Sequence, residues 1–275
     1  MQPLFEHRIE LAGYETRALE LEGDGPPLVL LHGWADSADT WRLVLDRLAR
    51  MERRALAVDM PGFGAAGPLR AGPVLPQLDA FLDAALEHAA PGGGATVAGN
   101  SLGGSAALRA AERPELRLSG VVPVAPAGLD MARWFVLVER DPVVRALLAS
   151  PLPVPGPIVR RAVSEVYRRL VFCRPSAIDP LVVSTFASHL GSKAAAARAL
   201  ATGRRLLPEL RDPYRLERIS CPVLLVWGRQ DLMVFMTGAQ RVLDAAPEGR
   251  LEVLEDCGHC PQLEAPDRFS ELLAA

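Results

Sequence analysis

The chain has 275 residues, 49% of them apolar and 23% charged, with a formal charge of -3. That length gives one large domain, or one domain carrying an insertion, ample chain to bury a core, and the balance excludes wholesale disorder and collagen-like sequence. The basic residues, all arginine except Lys193, are scattered rather than gathered into a stripe with aromatics, so no nucleic-acid partner is expected. The chain opens on two strand-like segments, around Glu6 to Ala12 and Glu15 to Glu22, which Gly13-Tyr14 joins as a hairpin. Leu28 to Leu31 follows as an unbroken apolar run suited to a strand buried on both faces. Similar runs recur at Ala55 to Val58, Thr96 to Ala98, Gly120 to Val124, Val223 to Trp227 and Leu251 to Leu254. Between them, Trp41, Val44, Leu45 and Leu48, and then Leu75, Leu78, Leu82 and Leu86, fall at helical spacing. Strands alternating with amphipathic helices predict an α/β fold, a mostly parallel sheet with helices on both faces.

The rhythm breaks between residues 127 and 213. No run there is strand-like with turns on both sides; prolines 151, 153, 155 and 157 precede helix-like stretches at Ile158 to Leu170 and Lys193 to Leu207. Lying between two sheet strands, the segment reads as a helical insertion, so a core of residues 1–126 and 214–275 with an inserted helical cap over 127–213 is expected. The first residues show no basic region followed by an apolar run, and no stretch approaches the roughly 20 apolar residues of a membrane span. A cytoplasmic protein without a membrane span is the expectation.

The strongest local signal is Gly99-Asn100-Ser101-Leu102-Gly103, a G-x-S-x-G set directly after the Thr96 strand and before a helix-like stretch. A sharp strand-to-helix turn of this kind lifts the serine above the sheet at a helix N-terminus, where negative charge is favoured. A plain Gly-Ser turn opening a helix is built the same way. A serine hydroxyl needs a base, and the base needs an orienting carboxylate. Among five histidines, His7 and His88 read as surface residues, His189 falls in the insertion, and His32 follows an early strand. His259, in a Gly-containing loop after the last strand, fits the base. Asp231, just past the Val223 to Trp227 strand, stands at the carboxyl end where open α/β sheets build their sites; a simple turn aspartate is the alternative.

With these pieces in view, the sequence resembles the α/β-hydrolase superfamily over nearly its whole length. The resemblance is carried by His32-Gly33-Trp34, Asp59-Met60-Pro61-Gly62-Phe63-Gly64, the Ser101 turn, Trp227-Gly228-Arg229-Gln230-Asp231 and Gly258-His259, in the family's order. It implies the α/β-hydrolase fold with a Ser101, Asp231, His259 triad, an oxyanion hole from the main-chain N–H groups of Leu102 and Trp34, and a bracing role for His32. The Asp59 to Gly64 loop is structural by the same match.

The expected function is a serine hydrolase cleaving an ester or related acyl bond of a small hydrophobic substrate, with no cofactor and no metal. The turn around Ser101 also resembles that of C–C bond hydrolases of meta-cleavage products, but Cys260 follows His259 where those enzymes tend to carry Trp. A non-catalytic binding protein of the same fold is a further alternative. Trp134, Phe135, Phe172 and Phe186 are candidate pocket or core residues of the insertion. Cys257-Gly258-His259-Cys260 spells a dithiol motif, yet only Pro261 to Ala275 follows it, too little for a redox fold. The two thiols would instead flank the base and make it sensitive to alkylation.

Overall fold

Side chains alternate across a strand, so a strand buried on both faces feeds two cores. In β3 (Asp24–Leu31), Leu28 and Leu30 join one apolar cluster, while Val29 and Leu31 join another. The computed structural model describes residues 3–133, 137, 140 and 154–274. Around β3 lies an eight-stranded sheet, ordered β1-β2-β4-β3-β5-β6-β7-β8. Its other strands are β1 (Leu4–Leu11), β2 (Tyr14–Leu21), β4 (Arg53–Val58), β5 (Thr96–Asn100), β6 (Gly120–Val124), β7 (Val223–Gly228) and β8 (Gly249–Leu254). β1 and β2 form the expected hairpin, β2 runs antiparallel to β4, and every later pairing is parallel. β3 starts earlier than the apolar run marked it, at Asp24; its register slips before Leu28, across two prolines that have no N–H for the ladder.

Helices cover both faces. α1 (Arg42–Arg50) sends Val44, Leu45 and Leu48 into the cluster that holds Leu28 and Leu30. The C-terminal α9 (Pro266–Ala274) joins it on that face, where Phe269 packs 5.9 Å from the ring of Trp41. The opposite face is covered by α2 (Leu75–Ala89), α3 (Leu102–Ala111) and α7 (Ala239–Ala245). α8 (Pro261–Glu264) is a single turn just before α9.

Between β6 and β7 the chain forms α4 (Gly156–Val171), α5 (Pro180–His189) and α6 (Lys193–Glu209). The helical spacing marked α4 and α6 but not α5, which starts with Pro180 in its first turn and Asp179 as N-cap, the Asp179 carboxylate accepting from Leu181 N. Tyr167 of α4 stacks on Phe186 of α5 at 3.6 Å and meets Phe172 edge-on at 5.2 Å. Their cluster also takes in Cys260 and Leu263, so these helices rest on the segment that follows His259. Trp134 and Phe135 lie outside the described residues. Among the described residues no helix is long and apolar enough to cross a membrane.

One buried carboxylate ties three pieces of the core together. Asp59, fully buried, accepts from Ala38 N at 2.7 Å, from Ala65 N at 2.7 Å and from Arg17 Nε at 3.0 Å. It thus joins the turn after β4 to β2 and to the turn after β3, as a structural loop should. Removing one partner of a buried ion pair strands the other, at a cost of about 3–5 kcal/mol. Asp59→Ala is therefore expected to lose stability on that scale in chemical denaturation; a loss below about 1 kcal/mol, the worth of a surface pair, would refute the anchoring role.

Candidate active site

From β3 the chain continues to β4 on one side, whereas β5 lies on the other. Loops leaving the carboxyl ends of β3 and β5 therefore diverge, and a crevice opens between them, the place where open α/β sheets bind ligands. His32-Gly33-Trp34 leaves β3 there, and Ser101 leaves β5.

Ser101 takes φ 55° and ψ -109°, a conformation that costs a non-glycine residue of order 1–3 kcal/mol. The surroundings enforce it: Ser101 N donates to Val124 O at 2.8 Å, while Ser101 O accepts from Ser105 N and Ala127 N at 2.8 and 3.0 Å. The reversal also needs its small residues. A Cβ on Gly99 would stand 2.2 Å from Gly103 O, and one on Gly103 would stand 2.3 Å from Leu31 O. The main-chain N–H of Leu102 opens α3 directly after Ser101, among the first-turn N–H groups that find no acceptor within a helix.

Asp231 and His259 come from adjacent strands. The turn after β7 is held by Trp227 Nε1, which donates to Val234 O at 3.0 Å, and is joined to the loop after β8 by Gln230 N on Cys257 O at 3.0 Å. Asp231 Oδ1 accepts from Met233 N and Val234 N, at 2.7 and 3.0 Å. Its Oδ2 lies 2.7 Å from His259 Nδ1, with both residues buried. A carboxylate only accepts, so in the neutral ring Nδ1 carries the proton and Nε2 keeps its lone pair. His259 and Ser101 line the same cavity.

His32 differs. Its Nδ1 donates to Gly33 O at 2.7 Å and its Nε2 accepts from Met60 N at 2.8 Å, an arrangement open only to the neutral ring. Burial pushes its pKa down to about 4, so His32 stays uncharged at neutral pH and braces the β3 loop. His7 and His88 pair with Glu20, and His189, at the end of α5, lies 3.8 Å from Asp39.

Two positioning groups went unmarked in the sequence. Asn100 Nδ2 donates to His259 O at 2.9 Å and its Oδ1 accepts from the Cys260 thiol at 3.4 Å, linking the end of β5 to the His259 loop. The signal was its place beside Ser101. Glu264 Oε1 accepts from Gly258 N at 2.6 Å and Oε2 from Cys173 N at 2.8 Å, while His259 N donates to Val171 O at 2.7 Å. The His259 loop is therefore bonded directly to the end of α4. Burial pushes the Glu264 carboxyl up, against the backbone donors that favour its charge. Its clue was a lone acid five residues after His259.

Cys257 and Cys260 are free thiols, buried beside the base. Burial pushes Cys257 up to about 12 and Cys260 well above the usual thiol range. A thiol that ionises less readily is a poorer nucleophile, so alkylation at these residues is expected to be slow even though Cys260 lines the cavity.

The cavity holds about 250 Å³. Gly33, Trp34, Asn100, Ser101 and His259 form its polar end, and Val163, Tyr167, Leu170, Phe186, Leu200 and Met233 its apolar walls. Phe186 thus serves the pocket, whereas Phe172 packs in the core of the inserted helices.

Residues 28–272 match the model of the Alpha/beta hydrolase family. The chain is 29% identical over 255 residues, 91% of its length and 95% of the relative's, to a pimeloyl-[acyl-carrier protein] methyl ester esterase of Nitrosomonas europaea. It is 25% identical over 280 residues to a 2-hydroxy-6-oxo-6-(2'-aminophenyl)hexa-2,4-dienoic acid hydrolase of Metapseudomonas resinovorans, covering 96% of this chain and 88% of that one. A crystal structure of a serine hydrolase involved in carbazole degradation superposes with a TM-score of 0.79 at 24% identity, over 99% of this chain and 98% of that one.

Iodoacetamide applied to the native protein is expected to leave Cys257 and Cys260 unmodified and to label all four cysteines after denaturation, as read by peptide mass spectrometry; rapid native labelling of either would contradict their burial. Glu264→Gln turns one acceptor into an NH2 group facing a backbone N–H, with an expected loss of about 1–3 kcal/mol in thermal or chemical unfolding. An unchanged unfolding midpoint would show that the carboxylate does not hold the loop.

Proposed function

We propose, for a chain that belongs to the alpha/beta hydrolase family, a serine hydrolase that cleaves an ester or related acyl bond of a small hydrophobic substrate. The observation that carries this reading is the buried Asp231–His259 contact of 2.7 Å in the wall of the cavity that the strained Ser101 also lines. His259 Nε2, left free to accept, removes the Ser101 proton as Oγ attacks the substrate carbonyl. Asp231 holds the ring in that tautomer and stabilises the imidazolium that forms. The carbonyl oxygen gains negative charge, which the N–H groups of Leu102 and Trp34 stabilise; one such donor is worth about 3–4 kcal/mol. His259 then protonates the leaving alcohol, and water, deprotonated by the same ring, resolves the acyl-enzyme. The inserted helices act as a cap, whose walls receive the apolar body of the substrate.

Charge is the property by which cleavage of a C–C bond in a dienoate differs from this reading. Such a substrate brings a carboxylate into the pocket, and a buried charge needs a partner. Among the described residues that line the cavity there is no Arg or Lys.

A fluorophosphonate probe should label Ser101 in the folded protein, and Ser101→Ala should abolish both labelling and hydrolysis of p-nitrophenyl hexanoate. Asp231→Asn, which can turn the ring to the wrong tautomer, is expected to lower kcat by about 10⁴. Labelling that survives Ser101→Ala at the same rate would sink the assignment, faster turnover of a chromogenic dienoate than of any ester would favour C–C hydrolysis, and neither labelling nor turnover would favour a binding protein.

A further inference from the structure

The mechanism above leaves unused the one carboxyl among the described lining residues of the cavity. Asp36 follows the Gly33-Trp34 turn, lines the same cavity as Ser101 and His259, and is only 7% exposed. Its Oδ1 accepts from Ser37 N at 2.8 Å, and the Thr40 hydroxyl bonds to the carboxyl as well. An ionised carboxyl offers about four acceptor positions, so capacity remains after both bonds are made. Among the described lining residues there is no Arg or Lys, and apart from Asn100, Ser101, His259 and Cys260 the others are apolar or aromatic. His189 of α5 is the base whose charge bears on Asp36, opposed by the Asp39 carboxylate, while Cys260 and Tyr167 face it with thiol and hydroxyl.

A buried carboxylate without a counter-charge costs several kcal/mol and is relieved by a cation that arrives with a ligand. Burial accordingly pushes Asp36 up to about 7, so free protein near neutrality is poised between acid and carboxylate. An anionic ligand would meet repulsion in the same place. A protonated nitrogen would meet the carboxylate in a wall that is otherwise largely apolar and includes Tyr167 and Phe186.

We propose that Asp36 sets the charge selectivity of this cavity, and that the preferred substrate is an ester whose apolar body carries a basic nitrogen, held as an ammonium against the Asp36 carboxylate. The substrate class rests on the hydrolase reading above; the pairing with Asp36 does not, since it is a property of the cavity and can be measured without turnover.

Three probes of one shape test it by calorimetry on the full chain: hexylamine, hexanol and hexanoate, at about pH 8, where an acid near 7 is ionised. Hexylamine is expected to bind at least about tenfold more tightly than hexanol, with hexanoate weakest, and Asp36→Asn is expected to erase the difference between amine and alcohol. Equal binding of amine and alcohol by the wild-type chain, tighter binding of hexanoate, or an amine preference that survives Asp36→Asn would each overturn the proposal. If Asp36→Asn fails to fold, the wild-type rank order and Asp36→Ser decide between the same outcomes. In turnover, the kcat/KM ratio of p-nitrophenyl 6-aminohexanoate to p-nitrophenyl hexanoate should fall about tenfold in the variant. Amine preference without Ser101 labelling keeps the Asp36 pairing and removes the hydrolase reading. Labelling without amine preference does the reverse.

Discussion

A serine backbone at φ 55° is a conformation that the surroundings must impose, and imposing it organises much of this molecule. The turn has to pass from the end of a buried strand into a helix within one residue, so β5 must be flanked on both sides to hold it. β6 supplies Val124 O, the following loop supplies Ala127 N, and α3 supplies Ser105 N. The approach of α3 to β3 then leaves no room for a Cβ at Gly103. Strain of this kind persists only where packing over-determines it, and here it is stored where the chain crosses the sheet's switch point. The result is a half-buried serine lining the cavity, beside a helix N-terminus whose dipole favours negative charge.

The mostly parallel sheet, the opening hairpin and the covering helices follow patterns that a sequence displays openly, whereas the strand order does not. The unbroken apolar run in β3, helical spacing in α1 and α2, and glycines at the turn around Ser101 are local properties, read over a few residues. Ser101, Asp231 and His259 stand out as candidates for the same reason: each sits at a strand end with turn chemistry beside it. Asn100, Glu264 and Asp36 do not, because their roles depend on partners far along the chain. Asn100 meets His259 across 159 positions, and Glu264 meets Cys173 across 91. No local pattern encodes such distances. The thiols show the converse, since proximity to His259 in sequence says nothing of their burial.

Polar groups around the cavity form two separate systems with different duties. Asp59, Arg17 and Asp39 join the turns after β3 and β4 to the opening hairpin and never reach the cavity. Hydrogen bonds from Arg17 and Arg42, with His189 close by, outweigh burial at Asp39 and hold its carboxyl below the usual range. Asp36, three residues earlier, lacks such an array and is driven the other way. Two aspartates of one short turn are thus set apart by environment alone, one fixed as a structural anion and the other left responsive to what enters the pocket.

The bond from His259 N to Val171 O, with Glu264 spanning Gly258 and Cys173, makes the end of α4 and the His259 loop one mechanical piece. Because α4 also walls the cavity, residues that shape the pocket and residues that hold the imidazole are not independent variables. Substitutions in the last turn of α4 and in the stretch from 257 to 264 should combine non-additively, as contacting positions do. Exchange of the inserted helices between relatives would therefore carry a new pocket across intact only when that short C-terminal stretch travels with them.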